Sequence, residues 1–296
     1  MSAQMRLVAG VMRLTRKRQM STPARAQRRI HAPKGSAEPT PAIRDRHTVT
    51  QYREHGFDVH RIVPKDGRFT RSVLYLHGGA YIAEIAPQHY GFISRLVDAG
   101  VRVDVPAYGL APQHTAVQAY DLVESVYRRL LTDATPSEIT VMGDSAGAGI
   151  ALGFVQQVAA LDLPQPGQVV LVSPWLDAEL SNPEIAGVEK RDPWLSSVGL
   201  RAAARAWAGD LPLDDPRVSP IRGSVRGLPP VEIWCGTRDL FLPDVLALTR
   251  GIRAGGGQVR LTQCEGAIHV YPVLPTPEGK VATREIVASI ADPRGP

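Results

Sequence analysis

Cysteine is nearly absent from this chain, with two residues, Cys235 and Cys264, in 296. That excludes a disulfide framework and any cysteine-based metal spacing, and it fits a reducing compartment. Both fall near the ends of expected strands, where a free cysteine reads as buried apolar filler. Long apolar runs are also missing: nothing approaches the ~20 residues that span a bilayer. The stretch 7–12 is too short for the apolar region of a signal peptide. Arg13, Arg16, Lys17 and Arg18 follow it where a small-residue cleavage site would stand. The expectation is a cytoplasmic protein that starts at or near Met1.

Acidic side chains are lacking at one end. Residues 1–30 hold eight basic residues and no acidic one. Residues 1–46 hold eleven Lys and Arg against two acidic residues, a charge of +9; because the whole chain is +5, residues 47–296 carry −4. Leu7, Val11 and Leu14 recur at helical spacing, with Arg6, Arg13 and Lys17 on another face. Two readings stand: a surface helix for anionic lipid, or, more plainly, a helix packed on its own domain with a solvated basic face. A polar, proline-containing stretch over 32–41 separates this arm from the rest. No nucleic-acid partner is expected, and oligomerisation is left open.

What is present is an ordinary globular composition, 44% hydrophobic and 21% charged, in a length that suits one large domain. Apolar runs at 73–76, 101–105, 139–142, 169–172, 231–234 and 259–262 read as strands. Helical patterns fall between them, at 90–99, 115–131, 146–159 and 197–208 among others. This alternation predicts an α/β fold with a mostly parallel sheet and helices on both faces. Nearly sixty residues separate the strands at 169–172 and 231–234, against ~2–6 in a usual connection. An inserted cap at the ligand-binding edge of the sheet explains that length.

The chemistry concentrates in Gly143-Asp144-Ser145-Ala146-Gly147. A G-x-S-x-G pentapeptide between an apolar strand and a small-residue helix places a serine hydroxyl on a sharp, exposed turn. Serine needs a base to take its proton, and in this architecture the order is Ser, then Asp or Glu, then His. One histidine, His269, follows Ser145, so the order names the base. Nine aspartates also follow. Asp239 stands just after the 231–234 strand, where a triad acid belongs, and Asp177, after the 169–172 strand, is its rival. Upstream, His77-Gly78-Gly79-Ala80 follows a strand as an oxyanion loop would, with His77 as a brace and not a base. Ala146 begins a helix whose N–H and dipole point at a developing oxyanion.

These motifs, with Tyr81, Tyr108-Gly109-Leu110-Ala111-Pro112, Ser219-Pro220 and Gly227-Leu228-Pro229-Pro230, resemble the hormone-sensitive lipase family of α/β hydrolases, the bacterial family IV esterases, over residues 55–290. The resemblance implies an eight-stranded sheet, a Ser145–Asp239–His269 triad, and an oxyanion hole from Gly78, Gly79 and Ala146. It also implies residues 1–46 as part of a cap, residues 47–296 as the catalytic domain, and a cap insertion at about 175–215. It implies a serine carboxylic-ester hydrolase acting through an acyl-enzyme on short to medium acyl esters, with no cofactor or metal. The alternatives are an amidase or arylformamidase on the same triad, or a non-catalytic binding module. Ala80 departs from the family's usual third glycine. Gly109, Gln113 and Thr115 depart from its usual Arg, Glu and Pro.

Overall fold

A computed structural model describes residues 1–292. Four short helices come first: α1 (Ala3–Leu14), α2 (Arg16–Gln19), α3 (Pro23–His31) and α4 (Pro41–Arg46). Ser2 and Thr22 cap α1 and α3 through their hydroxyls, and Pro23 and Pro41 open α3 and α4. A hairpin follows, β1 (Thr48–Glu54) and β2 (Phe57–Val63). It turns on His55-Gly56, both at positive φ (50° and 84°).

The chain then alternates: β3 (Arg71–Leu76), α5 (Pro87–Asp98), β4 (Val101–Pro106), α6 (Ala116–Asp133), β5 (Ile139–Asp144), α7 (Ala146–Gln157) and β6 (Gln168–Val172). Two helices fill the long connection, α8 (Ile185–Glu189) and α9 (Ser197–Ala208). The end is β7 (Val231–Gly236), α10 (Leu242–Ala254), β8 (Val259–Cys264) and α11 (Pro277–Ala291).

The eight strands form one sheet in the order β1-β2-β4-β3-β5-β6-β7-β8. The β1–β2 and β2–β4 pairs are antiparallel and every other pair is parallel. Parallel strands are covered on both faces, so they read as unbroken apolar runs. Alternate side chains feed two cores. Leu74, Leu76, Val141, Leu171 and Ile233 pack under α6, α7 and α10. Val73, Tyr75, Met142, Val170, Val172 and Trp234 pack under α5 and α11, where Met5 and Ala9 of α1 join them. All six strands expected from apolar runs are present. The hairpin pair shows no such run: β1 is TVTQYRE on the sheet edge, mostly exposed.

The first three helices do not float. Ala26 and Ile30 of α3 are buried, and α3 packs on α9 of the long connection. Met20 lies so close to Gly199 of α9 that a Cβ there would sit 2.4 Å from the Met20 Cβ. The Lys17 ammonium donates to the carbonyls of Glu189 (2.7 Å) and Asp192 (2.5 Å). Thus α3, Met20 and Lys17 pack on the 189–199 part of the long connection.

Candidate active site

Ser145 sits at the junction of β5 and α7 with φ 51° and ψ −117°, a conformation that costs a non-glycine residue ~1–3 kcal/mol. The surroundings enforce it. The Ser145 N–H donates to the Val172 carbonyl (2.8 Å), and the Ser145 carbonyl accepts from Gly149 (3.1 Å) and Trp175 (3.0 Å). Close packing behind the turn requires Gly147: a Cβ there would stand 2.0 Å from the Leu76 carbonyl oxygen. The hydroxyl is thereby held at the top of the sheet.

The Ser145 Oγ lies 2.9 Å from His269 Nε2, and His269 Nδ1 lies 3.0 Å from Asp239 Oδ2. An ionised carboxylate only accepts, so Nδ1 carries the proton and Nε2 is free to accept from the serine hydroxyl. All three residues are buried. Burial acts against the His269 cation. The Asp239 charge and hydrogen bond, with Asp192 and Asp144 adding to them, outweigh it and raise the pKa above its ordinary value. Trp194 and Phe241 hold the ring edge-on, with centroids 5.6 and 5.3 Å away. Ser173 accepts the Val270 N–H through its hydroxyl (2.9 Å) and pins the loop that carries His269.

Asp239 occupies the tight turn after β7, where its other oxygen accepts the Phe241 N–H (3.0 Å). Its rival Asp177 is spent elsewhere: its carboxylate accepts from the Glu179 and Ser181 backbones and the Ser181 hydroxyl. Asp192, which no sequence pattern singled out, stands behind this turn. It accepts from Trp194 (2.6 Å), Leu195 (2.9 Å) and Leu240 (2.8 Å). Burial first, and then the Asp239 charge, push its carboxyl up to about 6.

The oxyanion loop corrects one expectation. The Gly78 N–H donates to Asp144 Oδ1 (3.0 Å), so it is not free to face a substrate. The glycine is needed because a Cβ at position 78 would collide with the Asp144 carboxylate, 2.2 Å away. Among the described residues no acceptor takes the N–H groups of Gly79, Ala80 and Tyr81 on the loop, or of Ala146 and Gly147 at the start of α7. Ala80 (φ 53°) and Tyr81 (φ 62°) take the left-handed backbone that this shape demands.

Asp144 is the organiser of that loop. Besides Gly78 it accepts from the Tyr75 hydroxyl (2.9 Å) and from His89 Nε2 (3.1 Å). Burial opposes its charge, but His89, Tyr75 and Gly78 prevail and lower its pKa. His89 is raised: burial acts against it, and the Asp144 charge and hydrogen bond overcome that. His77 behaves as a brace. Its ring stacks on Tyr108 (4.4 Å) and donates to the Gly78 carbonyl (2.8 Å), and burial drops its pKa to about 4. Tyr81 belongs to the core, stacked on Trp207 (4.4 Å) and Trp175 (5.2 Å). Gly109 leaves room for the His114 ring, which would stand 2.3 Å from a Cβ at that position.

A cavity of about 380 Å³ opens above Ser145 and His269. Its walls come from the oxyanion loop, Trp194, Leu195 and Leu200 of the long connection, and Met12, Arg16, Met20 and Arg29 of the N-terminal helices. Among the described residues, no group of three or more His, Cys, Asp or Glu is arranged to hold a metal ion. Among the same residues no helix is long and apolar enough to cross a membrane.

Residues 73–273 match the family described as alpha/beta hydrolase fold. An acetyl-hydrolase of Streptomyces hygroscopicus is 32% identical over 218 residues, 72% of each chain. An esterase of Acinetobacter venetianus is 31% identical over 181 residues, 59% of each chain. An esterase structure from the bacterial hormone-sensitive lipase family superposes with a TM-score of 0.83 at 25% identity, covering 100% of this chain and 99% of its own. Fold and comparisons together define a serine hydrolase of the carboxylesterase type. The chain belongs to the hormone-sensitive-lipase-like family of α/β hydrolases.

Proposed function

We propose that this chain hydrolyses short to medium acyl esters through an acyl-enzyme formed on Ser145. Ser145 attacks the ester carbonyl while His269 takes its proton. The tetrahedral oxyanion receives the free N–H groups of Gly79, Ala80 and Ala146. The carbonyl reforms as the alkoxide leaves with the proton from His269, and Asp239 holds the ring and supports its charge. Water, deprotonated by His269, then attacks the acyl carbonyl and releases the acid.

The observation that carries this reading is the hydroxyl–imidazole–carboxylate chain, 2.9 and 3.0 Å, opening on the cavity beside unfilled N–H groups. We read α1–α3, the 194–196 stretch and α9 as the cap, because they supply the wall opposite the sheet. A cavity of about 380 Å³ has room for a short to medium acyl chain.

The test is hydrolysis of 4-nitrophenyl esters of rising chain length, beside a matched 4-nitroanilide. Turnover of the short esters that vanishes in Ser145→Ala is expected, with the anilide cleaved far more slowly. Faster cleavage of the anilide would move the assignment to an amidase. Equal turnover by Ser145→Ala would remove Ser145 as nucleophile.

A further inference from the structure

Helix α1 is apolar on two opposite sides. Met5 and Ala9 point inward and are buried. Leu7, Val11 and Leu14 point outward, 69%, 48% and 68% exposed. Leu7 and Leu14 are the most exposed large apolar side chains among the described residues; the four outside this arm are scattered singly and reach at most 45%. Positions 7, 11 and 14 make one ridge along the helix, and Arg6 and Arg13 lie together along one side of it. Among the described residues no carboxylate pairs with either arginine, nor with Arg16 or Arg18 beyond them. Alongside, Arg13 shares a surface hollow with Lys190, Arg191 and Arg238, where Glu265 is the acidic member.

A contiguous apolar ridge with unpaired arginines along one side needs a partner that is apolar against the ridge and negative beside it. A second copy packed antiparallel on the ridge would set Arg6 and Arg13 beside their equivalents, and like charges so placed repel. Nucleic acid would pair with the arginines but leave the ridge in water. We propose that α1 docks this protein on an anionic lipid surface, with Leu7, Val11 and Leu14 entering the acyl–headgroup boundary and the arginines meeting lipid phosphates. The geometry links docking to the cavity. Met12, on the same helix, and Arg16 and Met20 just beyond it, line the cavity above Ser145. The cavity and the proposed docking ridge thus share one helix, on opposite faces of it.

The proposal stands apart from the assignment of the nucleophile, because binding is read without turnover. Purified full chain is floated with phosphatidylcholine vesicles and with vesicles containing about a third phosphatidylglycerol, at low and high salt. Wild type should partition to the anionic vesicles, with binding reduced about tenfold or more by high salt or by L7S/V11S/L14S. Hydrolysis of a water-soluble ester by that variant should match wild type, which shows that it is folded. Binding to neutral and anionic vesicles alike, or binding undiminished in the variant, would overturn the proposal. So would a wild-type dimer on gel filtration that the variant converts to monomer, since a second copy would then cover the ridge.

Discussion

Replacing Asp144 separates the architecture of the oxyanion loop from that of the triad. Its carboxylate takes three donors, from Tyr75, Gly78 and His89, at 2.9, 3.0 and 3.1 Å. In Asp144→Asn the amide oxygen keeps partners, but the NH2 group points at a donor. One buried N–H is then left unmet, at about 1–3 kcal/mol, and the survivors lose their charge assistance. Relief from burying a carboxylate offsets part of this. The net loss should be about 2–3 kcal/mol, a large share of the ~5–15 kcal/mol that holds a domain together. The loop it anchors carries Gly79 and Ala80, so kcat should fall about 10- to 100-fold with little change in KM, short of the ~10²–10³ for losing one oxyanion donor outright.

The pH dependence has a definite sign. Asp144 is lowered, so its contribution is present above its unfolded value of 3.8 and lost as pH falls through the lower folded one. His89 is raised, so its contribution is full below 6.5 and lost as pH rises through the folded value. The stability gap between wild type and variant should therefore be larger near pH 6 than near pH 9. Urea unfolding at both pH values and steady-state kinetics measure it. A gap under about 0.5 kcal/mol with kcat within about twofold would refute the reasoning.

Gly147→Ala should destabilise by more than about 3 kcal/mol or prevent folding, because the new methyl meets the Leu76 and His77 carbonyls at 2.0 and 2.5 Å; thermal unfolding reports it. The acid limb of kcat/KM should lie above the ordinary histidine value of 6.5, since His269 must be neutral to act and its pKa is raised. Asp239→Asn should move that limb down and lower kcat about 10⁴-fold, the scale for losing the right tautomer; an unmoved limb would deny Asp239 its part. Trp207→Ala should cost about 3–5 kcal/mol by opening a void beside Tyr81 and Tyr108, as chemical denaturation would show.

The three residues that the structure brings within hydrogen-bond reach, Ser145, His269 and Asp239, can be named from chain order and local chemistry. Ser145 declared itself by small residues on either side, His269 by being the one histidine after it, and Asp239 by standing on a strand-end turn. The parallel strands were equally plain, since burial on both faces leaves only apolar residues. What stayed hidden depends on pairing across space. The β1 edge strand is half polar, and nothing in TVTQYRE distinguishes it from a loop. That the Gly78 N–H is taken could not be read from the loop, because its acceptor comes from Asp144, sixty-six positions away. Asp192 and His89 act through neighbours on other elements, so no local spacing marks them. The outward side of α1 was ambiguous for the same reason: its ridge has meaning only once Met5 and Ala9 are seen facing in.

Whether Ser145 is the nucleophile of an acyl-transfer site is tested most directly by intact-mass and peptide analysis after exposure to a fluorophosphonate. A single adduct on the peptide holding Ser145 is expected, with activity lost in parallel, and none in Ser145→Ala. An adduct on another residue, or one that persists in Ser145→Ala, would contradict that role.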